Sequence, residues 1–477
     1  MRGLPALEAS ETAHTRRWDA IVLGGALPGL VGAVALGMRG VRVLVVEEES
    51  SARAFPGLRE PLLLTGAGPD GVLGACLSEL GIALIDRRRF ETHPLAYQVA
   101  MRDARVDVGD PIRTTEELVA WGLAKREPAQ DLIRALVRAA DAERDAMLDA
   151  PIVRAPRRPL SVRGRRSGGA APALGARGLP SEISGASPAL RSLLASQVRA
   201  LSNLGGTDPS PEAQARLLGA SFGGSADATS SNGSLRALLR RRIETLFGEF
   251  RQVRGRFDLI AAANQPGIRA EDSREVWVGR ALILNAPLDG LAAAHTQDRV
   301  PELIQTSPAS HKRVSLHFRT PDATLPEGMG PRVIHVGDDA RPGAGPEVVS
   351  VQVLPGATWD DPVHLVASTV VPANAVTSDV SERIRQVLAE LIPFSEDKLD
   401  PQELPAAIWD TDLLVRDPEP GSAWPGETDI RLGGRAPVYH LDRAGMAGLG
   451  FEGDLLLGQR AGEAIANELN PGGSRRP

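Results

Sequence analysis

Ala20 to Met38 carry no charge; the apolar run then breaks at Arg39-Gly40 and resumes as Val41-Arg42-Val43-Leu44-Val45-Val46 before Glu47. Such a beginning suits a membrane helix, a twin-arginine export signal after Thr15-Arg16-Arg17, or the opening of a nucleotide-binding sheet. Asp19 stands directly before the run, where an export signal should not carry acid. Gly24, Gly25, Pro28, Gly29, Gly32 and Gly37 break up any single span. The run also passes into a β-branched strand, with no cleavage region or polar loop between. The pattern predicts a buried strand over Ala20–Leu23, a turn at Gly24, a helix to about Arg39 closed by Gly40, and a second strand ending at Glu47.

Further along, "DGVLGACLSELGI" reads as a short helix and "AYQVAMRDARVDVGD" alternates as a hairpin does. "TTEELVAWGL" and "EPAQDLIRALVRAADAERDAML" follow as helices, the second with Leu132, Ile133, Leu136 and Val137 on one face. "GSLRALLRRRIETLFGEFRQV" predicts a helix burying Leu235, Leu238, Leu239, Ile243 and Leu246, then a strand; "REVWVGRALILNAPL" predicts a strand pair ending in a turn. From Lys312, "RVSLHF", "RVIHV", "EVVSVQVL" and "VHLVASTVV" read as an antiparallel sheet with one solvated face. "SDVSERIRQVLAELIPF" is an amphipathic helix stopped by Pro393, and the last helix, "EGDLLLGQRAGEAIANEL", is entered from the glycine-rich "AGMAGLG".

Residues 1–17 read as a disordered terminus. From 151 to 187, "RAPRRPLSVRGRRSGGAAPALGARG" is rich in Arg, Pro, Gly and Ala without periodicity. A solvated flexible insertion is the plain reading. The sharper one is a basic patch, Arg154 to Arg166, that greets an anionic membrane surface.

The 477 residues suffice for two or three domains, and 42% hydrophobic content suits a globular chain. A net charge of −6 argues against a nucleic-acid binder. A single cysteine, Cys76, excludes an internal disulfide and any multi-cysteine metal site. The eight histidines show no metal-ligand spacing, and His311 and His317 read as a solvent-facing pair.

The opening segment carries its own chemistry. Gly24 makes the tight turn, Gly29 lets the helix pack close to the sheet, and the helix start offers unpaired N–H groups to a pyrophosphate. Glu47 lies about 20 residues on, where an acid can hydrogen-bond a ribose hydroxyl. Ala26 takes the middle glycine position, and its methyl costs some of the backbone's approach to phosphate. Near the other end, Gly445, Gly448 and Gly450 let the backbone run close to a flat ligand, and Glu452 begins a helix whose N–H groups suit a flavin's pyrimidine edge. An ordinary glycine-rich loop before a docking helix would look similar.

With these segments in order, the chain resembles the FAD-dependent phytoene desaturase and amine oxidase superfamily, particularly its phytoene-dehydrogenase-like branch. The matches are Gly24, Ala26, Gly29 and Glu47 at the start, "GSLRALLRRRIETLFGEFRQV" with a backbone group near Val253 that would meet adenine, and "AGLGFEGDLLLGQRAGEAIA". The resemblance implies an α/β fold. A Rossmann-like FAD-binding domain with a parallel sheet would comprise residues 18–90, 215–290 and 436–470. An interleaved substrate domain, built on an antiparallel sheet and helices, would comprise 91–150 and 291–435. FAD would be held by Gly24, Gly25, Ala26, Gly29, Glu47, Arg53, Val253, Arg443, Gly450, Glu452 and Gly453. The sequence departs from the family where Asp442-Arg443 replaces a Gly-Asp pair, Arg443 being a possible phosphate partner, and where only Gly57, near Arg53, stands for the expected glycine-rich segment.

The activity implied is FAD-dependent oxidation of an apolar, isoprenoid- or carotenoid-like or amine-type substrate, hydride passing to the flavin, in a cytoplasmic protein with peripheral membrane contact as an option. No catalytic residue is assigned: Tyr97, Tyr439 and His440 are candidates by type and read as structural. Two rivals stay open: a catalytically silent relative acting as a binding or assembly subunit, and a nicotinamide-dependent dehydrogenase.

Overall fold

The structure is a computed structural model. It describes residues 4–6, 15–49, 63–149 and 186–470 apart from short internal stretches, the longest being 338–347 and 416–428. The 151–187 insertion (except its last two residues), with Arg154 to Arg166, and the Arg53–Gly57 segment lie outside the described residues.

A seven-stranded sheet forms the first layer, in the order Phe257–Ala262, Gln265–Ala270, Val276–Leu284, Thr15–Leu23, Val43–Glu48, Glu249–Val253, with Val438–His440 also against Val276–Leu284. From Val276–Leu284 across to Glu249–Val253 every pair is parallel, as is the pairing to Val438–His440. Its central strands are apolar on both sides because both faces are covered. Ala20 and Val22 enter a cluster with the first helix, Leu27–Met38, and the last, Gly450–Leu469; Ile21 and Leu23 enter the opposite cluster with Trp277 and Trp409.

"REVWVGRALILNAPL" thus forms one nine-residue strand, not a pair, since both its faces are buried and no turn interrupts it. The terminus is also more ordered than its composition suggests. Thr15–Arg17 extend the first strand against Val276–Val278, with Arg16 paired to Glu275 at 2.7 Å, and Ala6 bridges Ala261. A disordered 1–17 is therefore corrected for 4–6 and 15–17.

The second sheet has eight strands: Asp400–Gln402, His311–Thr320, Val363–Pro372, Val348–Leu354, Arg332–Val336, Leu95–Ala100 and Arg105–Gly109 in order, with Leu414–Val415 on His311–Lys312. All pairs are antiparallel except Arg332–Val336 with Leu95–Ala100. Among the described residues neither face of this sheet is left wholly to solvent. Helix Thr377–Leu391 covers one side through Ile384, Val387 and Leu388, and helix Pro188–Leu201 packs on the other side at the Arg332–Val336 and Val348–Leu354 strands. Accordingly His317 is buried.

The first and last helices run side by side and parallel. A Cβ on Gly458 would lie 2.2 Å from the Pro28 carbonyl, and one on Gly462 would lie 2.7 Å from that of Gly32. The last helix therefore starts eight residues before it meets the first, an offset of about 12 Å at 1.5 Å per residue.

Candidate functional site: two turns at one end of a parallel sheet

Gly24 leaves the first strand at φ +115°, a conformation that favours glycine, and its N–H donates to the Val46 carbonyl at 2.8 Å. Asn285, just past the Val276–Leu284 strand, locks this turn. Its Oδ1 accepts from the Gly29 N–H at 2.9 Å, and its Nδ2 donates to the carbonyls of Gly24 at 3.0 Å and Ala26 at 2.9 Å. A methyl on Gly29 would sit 2.1 Å from Asn285 Nδ2, so that glycine serves the polar lock at the sheet's end. Ala26 is the N-cap of the first helix; Pro28 has no N–H, and that of Gly29 is spent on Asn285.

Beside the turn, where a nucleotide's adenosine half would lie, the chain supplies its own groups. The Gly25 N–H donates to Asp410 Oδ1 at 2.8 Å, and Asp410 Oδ2 accepts from the Glu48 N–H at 3.3 Å. In return the Glu48 carboxylate accepts the amides of Ile408, Trp409 and Asp410 at 2.8–3.0 Å, clamping that segment over the end of the second strand. Trp409 is fully buried, its Nε1 donates to the Gly255 carbonyl at 3.1 Å, and its ring meets Phe257 edge-on at 5.2 Å. Val253, whose backbone was expected to meet adenine, pairs with Glu48 and shares this apolar cluster.

Glu47, the ribose candidate, is buried and bonds Arg236 at 2.8 Å; Arg236 also donates to the Gly25 carbonyl. Among the described residues Glu47 Oε2 has no hydrogen-bond partner, with Arg240 3.9 Å away. Burial raises the Asp410 carboxyl to about 6, against the opposing pull of Arg236 and the Gly25 amide and with Glu47 adding to the rise.

At the other turn Gly450 has φ +57°, and a Cβ there would lie 2.2 Å from the Leu201 carbonyl; one on Gly448 would meet the Leu204 side chain. Gly453 packs on Leu449 and Met446. Glu452 forms a buried ion pair with Arg216, whose Nε donates at 2.8 Å and whose Nη1 holds the Ala140 carbonyl. Arg443 spans Asp454 with 3.0 Å bonds to both carboxylate oxygens, so its guanidinium is committed to protein.

Two cavities link the turns. One, at Ala26 and Asn285, has a volume of about 140 Å³; the other, at Gly450 and Glu452 beneath the second sheet, about 80 Å³. Asn203, Arg313 and Arg443 line both.

Tyr97 lines the second cavity; its hydroxyl donates to Gln197 at 2.8 Å, and burial pushes its pKa up. Tyr439 donates to Glu468 at 2.6 Å and is likewise raised by burial, then by that carboxylate. Both are held structurally. His440 lines the Ala26 cavity. Among the described residues no cluster of His, Cys, Asp or Glu could hold a metal, and no helix is long and apolar enough to cross a membrane.

Asn285, Asp410 and Arg236 are the residues that sequence reasoning missed. Asn285 had a signal, a lone amide ending the apolar run "ALIL"; Asp410 had none.

Known structures share this architecture. An oxidoreductase from Methanosarcina mazei superposes with TM-score 0.52 at 14% identity, covering 92% of this chain and 98% of its own. A single-site variant of putrescine oxidase gives 0.51 at 16%, covering 95% and 100%, and cyclohexylamine oxidase from Brevibacterium oxydans gives 0.50 at 16%, covering 95% and 99%. No family profile and no curated protein sequence matches the chain. The fold is that of the FAD-binding oxidoreductases.

FAD is the cofactor this fold implies. The converging turns and the 12 Å offset suit an extended dinucleotide, and Glu47 Oε2, without a hydrogen bond among the described residues, would suit a ribose hydroxyl. The remaining contacts do not fit. A diphosphate accepting the Gly25 amide would have to displace Asp410. At an effective dielectric near 20, a phosphate charge left about 4 Å from that carboxylate would be opposed by roughly 4 kcal/mol. Arg236 offsets part of this, but it already serves Glu47. As they stand, the Gly25 amide and the Glu47–Arg236 pair do not fit an intact FAD.

Proposed function

We propose that this chain is a catalytically silent relative of the FAD-binding oxidoreductases, keeping their fold as a small-ligand-binding protein. One observation carries the reading: Asp410 takes the amide of Gly25 while Arg236 pairs with Glu47, so two groups that a nucleotide would call on are engaged by the chain's own charges.

The second reading is an FAD-dependent oxidoreductase acting on an apolar or amine-type substrate. What favours it is the convergence of the Gly24 and Gly450 turns through the parallel first and last helices.

The visible spectrum of the purified chain, before and after incubation with FAD and desalting, separates the two. A colourless protein that releases all added FAD supports the silent reading. Retained flavin bands would overturn it, and their bleaching by a substrate would establish the oxidoreductase.

A further inference from the structure

A cleft of about 990 Å³ opens between helix Val72–Glu79 and the Arg105–Gly109 edge of the second sheet, several times the volume of either cavity beside the turns. Among the described residues it shares no lining with them. Its wall is apolar: Leu73 and Leu77 from the helix, Phe90 and Pro94 from the segment leading into the second sheet, and Phe222. The apolar character continues over the rim. Leu84 in the lining, its neighbour Ile85, and Ile112 beside the lining residue Pro111 are each more than half exposed. Exposed apolar groups gathered around an apolar cleft mark a surface that a ligand's hydrocarbon would complete.

Arg87 and Arg88 give the cleft a polar end, beyond Leu84 on the same short helix. Among the described residues neither guanidinium makes a hydrogen bond or an ion pair, and the Nε of Arg87 is buried without an acceptor. The carboxylate described in the lining, that of Asp110, is turned to the amides of Ile112 at 2.8 Å and Arg113 at 3.2 Å, capping the next helix. A buried N–H without an acceptor is unfavourable, and a carboxylate supplies two charged acceptors in the plane of the guanidinium fork. A hydroxyl offers only an uncharged acceptor, and an ammonium group offers none.

We infer that this cleft binds a long-chain fatty acid, its carboxylate on Arg87 and Arg88 and its hydrocarbon chain along Leu73, Leu77 and Phe222. The site lies apart from the Gly24 and Gly450 turns, so the inference adds a ligand to either functional reading and depends on neither.

The test is calorimetric titration of the full chain with decanoate, decanol and decylamine, which share a chain and differ in head group, and with hexanoate, which shortens the chain by four methylenes. Decanoate is expected to bind at least tenfold more tightly than any of the other three. Arg87→Gln should weaken decanoate at least tenfold and leave decanol unchanged, because only the charged head calls on the guanidinium. Arg88 is exposed, so Arg88→Gln decides the matter if Arg87→Gln does not fold. No heat with decanoate, equal or tighter binding of decanol, decylamine or hexanoate, or arginine variants that keep decanoate affinity would each overturn the inference. Flavin retention, measured on the same preparation, reports on the two turns alone, so the functional reading and the fatty-acid site stand or fall separately.

Discussion

Asp410 and Gly25 stand 385 residues apart in the chain, and the carboxylate of one accepts the amide of the other at 2.8 Å. The bond ties the turn one residue before the Ala26 N-cap to an anion of this chain, beside the helix start that would face a nucleotide's phosphate.

Burial of the same carboxylate makes stability depend on pH. Burial lifts the Asp410 carboxyl to about 6, above its value in the unfolded chain. The folded protein therefore holds the proton more tightly. The group's relative contribution is greatest below the unfolded pKa, near 4, and is lost as pH rises through about 6. Two pKa steps correspond to roughly 3 kcal/mol. Asp410→Asn should flatten urea-unfolding free energy between pH 4.5 and 7 relative to the parent chain. Parallel pH profiles for the two proteins would show that Asp410 titrates normally.

If Arg236 and Asp410 exclude a nucleotide, removing both should admit one. The double change Arg236→Gly with Asp410→Gly frees the Gly25 amide and the Glu47 carboxylate together. FAD fluorescence quenching should show at least a tenfold gain in affinity over the parent, with each single change giving less. A parent that binds FAD as tightly as the double variant removes the self-occupation account.

The first βαβ unit was legible because its glycines, apolar run and terminal acid lie within 30 residues and each has a local physical cause. The hairpin, the late strands and the amphipathic Thr377–Leu391 helix were legible for the same reason. Helix Pro188–Leu201 went unread beside the Arg-rich insertion, although Ser187 caps it, accepting from the Leu190 amide at 3.2 Å, with Pro188 at its first position. That unread helix covers the sheet face expected to meet solvent. Asp410 and Arg236 were beyond reach for another reason. Arg236 is one of several arginines on its helix, and nothing local to "IWDTD" announces a partner at Gly25.

The Arg216–Glu452 pair is buried on both sides, at 4% and 3% side-chain exposure. Removing one partner strands the other charge away from water, which typically costs 3–5 kcal/mol. Glu452→Gln should therefore destabilise by about that amount in guanidinium unfolding. The double change Arg216→Met with Glu452→Leu should recover most of the loss, because no charge is left buried. A double variant less stable than Glu452→Gln would mean that the pair attracts well beyond its desolvation cost.

Gly458 is where the alignment of the two turns is enforced. A methyl there would stand 2.2 Å from the Pro28 carbonyl and 2.8 Å from the Val31 Cβ, both on the buried first helix. Neither is the end of a flexible side chain, so the helices themselves must separate. Overpacking of a well-filled core costs about 1–3 kcal/mol, and a backbone obstacle places Gly458→Ala at the upper end. Gly223→Ala is the control: a methyl there meets nothing within 4 Å, and its φ lies outside the left-handed range, so its stability should stay within about 0.5 kcal/mol of the parent. Urea midpoints at pH 7 compare the two directly. If Gly458→Ala unfolds at the midpoint of the control, the first and last helices are not in this close register. The Gly24 and Gly450 turns would then lose the contact that brings them to one end of the sheet, and with it the shared ground of both functional readings.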